Sequence, residues 1–212
     1  AKLATIKARR SIPCVITTDD LLKLWDAQNG LCNHTKLAMQ TKEHNYMAAS
    51  IDRIDSAYYY TPDNIQLVCK AVNLGKKNFQ DHRIAELIAG IRGKPVSAPV
   101  QYRSEKRYRR RQKSVKHFLQ HKLDISRRNA KHQVMISVQE LEGKWTGICS
   151  LTNLTIYPIL HDPLSASLDR IDPERPYDNS NTIITCQWAN LARNKGNLGD
   201  FINFLNAIRT SP

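Results

Sequence analysis

Apolar and polar positions along this chain fall into two alternating rhythms, and the same succession of rhythms occurs twice. The segment DDLLKLWDAQN (19–29) is predicted as a short helix, with Thr18 placed to cap it and Gly30 to stop it, because Thr accepts from free N–H groups and Gly takes a left-handed turn. After an irregular stretch, AASIDRI (48–54) and IQLV (65–68) read as strands, separated by a turn rich in Tyr, Pro, Asp and Asn at 57–64. A helix is expected from near Cys69 and another from near Asp81, where Ile84, Leu87, Ile88 and Ile91 share one helical face. The order helix, strand, hairpin turn, strand, helix, helix predicts an α+β fold.

A shift of 117 positions lays residues 30–91 over 147–208 without a gap, and seventeen of the 62 pairs are identical. Average residue frequencies give about four. The identities include Gly30/Gly147, Cys32/Cys149, Thr35/Thr152, Leu37/Leu154 and His44/His161, then ASIDRID (49–55) over ASLDRID (166–172). Tyr60/Tyr177, Asn64/Asn181, Cys69/Cys186 and Asn73/Asn190 follow, and a three-residue deletion brings Ile16, Leu21 and Trp25 onto Ile136, Leu141 and Trp145. The chain is a tandem duplication. Its expected organisation is a basic N-terminal arm (1–15), repeat 1 (16–95), a basic linker (96–132) and repeat 2 (133–212). Each core is small at roughly 75 residues, so packing between the copies is expected.

Charge sharpens this picture. The formal net charge is +13, of which residues 1–10 carry +4 and residues 101–132 carry +10, leaving two near-neutral bodies. Concentrated basic segments suit a polyanion, since neutralising phosphates releases counterions. In the linker, Arg103, Lys106, Arg107, Arg109, Arg110, Arg111 and Lys113 are the candidate DNA contacts, while Val115, Phe118, Leu119 and Leu123 recur at helical spacing and predict a helix docked by one apolar edge. A solvated, flexible tether is the alternative. No apolar run nears the length of a membrane span, and the first residues, AKLATIKARR, lack the apolar stretch of a secretory signal. Five scattered cysteines do not suggest a disulfide framework, so a cytoplasmic, intracellular setting is expected, with no membrane partner.

The spacing inside the duplicated block resembles the HNH endonucleases, also called ββα-metal or His-Me finger nucleases, over about 45 residues of each repeat. In that family an Asp ending the first strand binds a divalent metal, an Asn buttresses the hairpin loop, and an Asn or His on the next helix supplies a second metal ligand. Asp52, Asn64 and Asn73 fall on those positions in repeat 1, and Asp169, Asn181 and Asn190 in repeat 2. The resemblance implies two tandem ββα-metal domains with extra helices, each holding one Mg2+ or Mn2+ between Asp52 and Asn73 or between Asp169 and Asn190. Two protein ligands leave open positions for phosphate oxygens and water. Lys77, one turn beyond Asn73, and Lys195 are candidate phosphate contacts. Cys32 and Cys69 fall short of a tetrahedral zinc set, and buried core thiols are the expectation there.

Where the family places its general base His, this chain has Arg53 and Arg170, and arginine stays protonated. Three readings remain: Asp55 and Asp172 act as bases while Arg53 and Arg170 bind phosphate; His44 and His161, eight residues before each Asp, act instead; or no base exists. The string Asp-Arg-x-Asp also has a structural reading, as a salt-bridge network on a hairpin. Three functions follow, each with its own expectation. The first is a metal-dependent endonuclease acting on double-stranded DNA as a monomeric pseudo-dimer or a homo-oligomer. The second is a non-catalytic DNA-binding or regulatory protein on the same scaffold, and the third an RNA-binding or RNA-processing protein.

Overall fold

The opening helix α1 (Thr18–Ala27) starts one residue earlier than the pattern suggests, because Thr17 rather than Thr18 caps it. In the computed structural model, which describes residues 13–41, 45–99, 114–129 and 133–211, the Thr17 hydroxyl accepts from the Asp20 N–H at 3.1 Å. The Asp20 carboxylate reaches back to the Thr17 N–H at 2.8 Å, so two of the helix's free donors are satisfied reciprocally. Gly30 ends the turn with φ of 66°, and its bare Cα leaves room for the Trp25 ring, which a Cβ would approach at 3.0 Å.

Strands β1 (Ala49–Arg53) and β2 (Ile65–Cys69) pair antiparallel, with Asp52 opposite Gln66 and Ala49 opposite Cys69. Helix α2 (Lys70–Lys76) leaves β2 without a connecting loop, and α3 (Asp81–Ile91) follows. The second half begins with α4 (Val115–Asn129) and α5 (Val138–Lys144), the latter opened by a Ser137–Glu140 capping box. Strands β3 (Ala166–Arg170) and β4 (Thr182–Cys186) pair in the matching register, Ala166 opposite Cys186 and Asp169 opposite Ile183. Helices α6 (Gln187–Arg193) and α7 (Leu198–Thr210) complete a mixed α+β fold of seven helices and two small antiparallel sheets among the described residues. None of these helices is long and apolar enough to cross a membrane.

The apolar rhythm is realised in the core. Ile84, Leu87, Ile88 and Ile91 on α3 are buried, as are Phe201, Phe204, Leu205 and Ile208 at the same four places on α7. Each such side chain contributes about 1.5–3 kcal/mol. Phe118, Leu119 and Leu123 are fully buried, so α4 docks its apolar edge on the second half, against α5. The repeats share one core, joined where α2 and α6 cross. Gly75 permits that crossing, since a Cβ there would lie 2.5 Å from the indole nitrogen of Trp188. Around it, Tyr46 donates to the Arg193 and Asn197 carbonyls at 3.2 and 3.3 Å, and Arg83 forks onto Asp162 at 3.1–3.3 Å. Arg92 reaches Ser211, whose hydroxyl donates to the Thr35 carbonyl at 3.1 Å.

Candidate functional site

Side chains alternate across a strand, so Ser50 and Asp52 share the β1 face that α2 covers. Asn73, near the middle of α2, donates its amide to Ser50 Oγ at 2.8 Å and to the Ile51 carbonyl at 2.9 Å. Lys76, one turn later and fully buried, brings its ammonium to Asp52 Oδ2 at 2.7 Å and Asp81 Oδ1 at 2.8 Å. The carbonyls of Arg53 and Ile54 accept from the same nitrogen at 2.5 and 3.1 Å. Gln66, across the ladder, donates to Asp52 at 2.9 Å and to Asp81 at 2.5 Å, and His34 Nε2 lies 3.0 Å from Asp81. Burial pushes the Asp81 carboxyl up, but His34 and Lys76 outweigh it and hold that carboxyl well below its ordinary value.

Repeat 2 fills the same place differently. Asn190 donates to Ser167 Oγ at 2.8 Å and to the Leu168 carbonyl at 2.9 Å, a copy of Asn73. Arg193 stands at the position of Lys76 and forks onto Asp169, Nε to Oδ2 at 2.8 Å and Nη2 to Oδ1 at 2.6 Å. The Arg170 N–H also donates to Asp169 Oδ1, at 2.9 Å. Leu151, Ile183 and Leu198 replace His34, Gln66 and Asp81. Burial raises the Asp169 carboxyl above its ordinary value, with Arg193 pulling it back.

Of the expected metal pairs, Asn73 and Asn190 turn their amide nitrogens to their own strands, and Asp52 and Asp169 each pair with a cation of the same repeat. A divalent ion beside the buried Lys76 ammonium would face a like charge at a cost of several kcal/mol (about 4 kcal/mol per unit-charge pair at 4 Å). Those ligand pairs do not fit Mg2+ or Mn2+. The one group among the described residues with metal-like spacing is His34, Asp52 and Asp81, whose ligand atoms lie within 4.8 Å of one another, and Lys76 already stands among them.

The remaining residues of the Asp-Arg-x-Asp strings hold the hairpin loops. Arg53 donates to the Tyr58 carbonyl at 2.7 Å and lies over the Tyr60 ring at 5.1 Å, and Arg170 does the same with the Arg175 carbonyl at 3.0 Å and Tyr177 at 4.9 Å. Asp55 and Asp172 accept from the N–H two residues on, Ala57 at 2.8 Å and Glu174 at 2.9 Å. Asn64 takes the Asp55 N–H and donates to the Asp55 and Tyr59 carbonyls, while Asn181 takes the Asp172 N–H and donates to the Asp172 and Pro176 carbonyls. These arginines are thus internal clasps rather than free phosphate ligands.

His161, with φ of 62°, lines a cavity of about 410 Å3 against α3 of the other repeat, together with His82 and Arg83. Lys77 is exposed in a left-handed turn that ends α2, off the helical face assigned to it, and Lys195 is exposed as well. His44 and the linker cations Arg103, Lys106, Arg107, Arg109, Arg110, Arg111 and Lys113 lie outside the described residues.

Cys32, Cys69, Cys149 and Cys186 are fully buried, with the Cys69 and Cys186 N–H groups donating to the partner sulfurs at 3.2 and 3.1 Å. The residues that sequence reasoning missed are Lys76 and Arg193, with His34, Gln66 and Asp81 around the first. A signal was present, since both repeats place a cation 24 residues after the Asp. No protein family, curated protein or solved structure matches the chain.

Proposed function

We propose that the chain binds the backbone of double-stranded DNA through its concentrated basic segments and that its two ββα units serve as a rigid scaffold without cleaving. The observation that carries this reading is the matched pair of buried ion pairs, Lys76–Asp52 at 2.7 Å and Arg193–Asp169 at 2.6 Å. In each repeat an internal cation stands where the HNH resemblance puts a metal, and it balances the same carboxylate. A hydrolytic metal keeps open positions for substrate oxygens and water. An ammonium fixed by four acceptors, or a guanidinium bound bidentately, offers none. Arg53 and Arg170 cannot take a proton, and one N–H group of each clasps its own hairpin.

A second reading, cleavage by repeat 1 alone, draws on the His34, Asp52 and Asp81 group. Repeat 2 has no counterpart to it, with Leu151 and Leu198 at the matched positions. One set of measurements separates the two. The first is the affinity for a short duplex as salt rises from about 50 to 200 mM, where six or more phosphate contacts cost about three orders of magnitude. The second is nicking of supercoiled plasmid in Mg2+ or Mn2+ against EDTA. The expected result is steep salt dependence without nicks. Metal-dependent nicking that disappears in Asp52→Ala but survives Asp169→Ala would establish the second reading, and failure to bind DNA at low salt would end the nucleic-acid reading altogether.

A further inference from the structure

The hairpin of repeat 1 presents something that its copy does not. Tyr58 and Tyr59, at the tip between β1 and β2, are 66% and 56% exposed, and they are the exposed aromatic residues among the described ones. Repeat 2 has Arg175 and Pro176 there. Two neighbouring phenol rings in water are an unfavourable surface to keep unless something covers them.

The backbone beneath the rings is pinned. Arg53 holds the Tyr58 carbonyl at 2.7 Å, Asn64 holds the Tyr59 carbonyl at 2.9 Å, and the Tyr60 N–H donates to the Pro13 carbonyl at 3.2 Å. The rings therefore project from a fixed loop, which lowers the entropy cost of stacking something on them. Ser56 in the same loop donates to the Lys77 carbonyl at 3.3 Å, which ties the loop to the end of α2. Of the loop's own carboxylates, Asp55 accepts from the Ala57 N–H and Asp63 bonds Thr61. Exposed aromatic faces on a chain of net charge +13 match a polyanionic strand whose bases are unstacked.

We propose that Tyr58 and Tyr59 are a stacking platform for unpaired nucleobases, so that a chain held on duplex backbone by its basic segments gains further affinity where the DNA is single-stranded or locally opened. The proposal rests on the DNA-binding reading above and makes repeat 1 the half that reads exposed bases. Every base has a π-face, so the platform carries no sequence preference of its own.

The test compares a short deoxyoligonucleotide carrying 2-aminopurine, free and in a perfect duplex, with wild-type protein and variants whose melting curves match it. Stacking quenches 2-aminopurine, and the wild type should bind and quench the single strand. Tyr58→Ala/Tyr59→Ala should lose about tenfold or more on the single strand and less than about twofold on the duplex. The double Phe variant should keep its affinity, and Arg175→Ala in repeat 2 should change neither. Equal losses on both probes, Phe variants as weak as Ala variants, or no loss at all would overturn the platform. Tight duplex binding with no tyrosine dependence would leave the DNA-binding reading intact, whereas a wild type that binds neither probe would remove both.

Discussion

Lys76 and Arg193 occupy the same place in two copies of one unit, and the surroundings of each show what a buried carboxylate requires. A lysine ammonium is a point charge with three donors, so repeat 1 adds Asp81, Gln66 and His34 to complete a polar network around it. A guanidinium matches a carboxylate with two parallel donors, and repeat 2 has Leu151, Ile183 and Leu198 at the positions of His34, Gln66 and Asp81. One cation choice brought a five-residue network with it, and the other goes with apolar residues at three of those positions. Repeat 1 thus retains an extra, partly exposed carboxylate and a buried imidazole, and it is also the half with the aromatic tip.

The comparison can be broken most severely at the cations themselves. Lys76→Ala and Arg193→Ala each leave a buried carboxylate unpaired and should cost about 3–5 kcal/mol in denaturant unfolding, and a large loss in one repeat alone would show that the two clasps are not equivalent. Next is Gly75→Ala, whose methyl group must displace the Trp188 ring and should cost about 1–3 kcal/mol. Ala192, the matched position, already carries that methyl group, so Ala192→Gly should cost less, which the same titration measures. Third, Asn181→Ala should destabilise by about 2–3 kcal/mol because the Asn181 side chain is itself buried, whereas Asn64→Ala, where water can enter, should cost about 1 kcal/mol.

The smallest effect is in the acid range. The Asp81 carboxyl is depressed in the folded state, so its stabilisation is complete above the unfolded value near pH 4 and drains away as the pH falls below it. The Asp169 carboxyl is raised, so its contribution has the opposite sense, present below about pH 4 and lost as the pH rises through the folded value. Asp81→Asn should flatten the fall in stability between about pH 4 and pH 2, by on the order of 1 kcal/mol, whereas Asp169→Asn should act above about pH 4, where it removes a gain in stability on acidification. Thermal melts across both ranges decide the matter, and parallel curves for the two variants would contradict it.

Much of the fold was readable in advance because its signals are local or repeated. The 117-residue offset exposed the duplication, and the spacings of Ile84, Leu87, Ile88 and Ile91 and of Phe118, Leu119 and Leu123 marked faces that are buried. The α1 cap was misplaced by one residue because Thr17 and Thr18 carry the same hydroxyl, and only the position of Asp20 chooses between them. The site was less legible. Spacing put Asp52 and Asn73 on adjoining elements, but it could not show that Asn73 turns toward Ser50 while Asp52 turns toward Lys76. Lys77 was legible as a surface cation, but its positive-φ backbone at the end of α2, which leaves Lys76 as the lysine facing the sheet, was not. Asp81 and His34 are distant in sequence from Asp52, and only the folded chain makes them neighbours.

The seat of Trp188 on Gly75 also governs which halves can mate. The equivalent positions across the pseudo-dyad are Ala71 and Ala192. Two copies of the first half, joined the same way, would set Ala71 against Gly75 and leave a hollow where the indole belongs. Two copies of the second would drive Trp188 into Ala192. At this seat each half is therefore a poorer match for a second copy of itself than for its sibling, a lock and key carried on one chain.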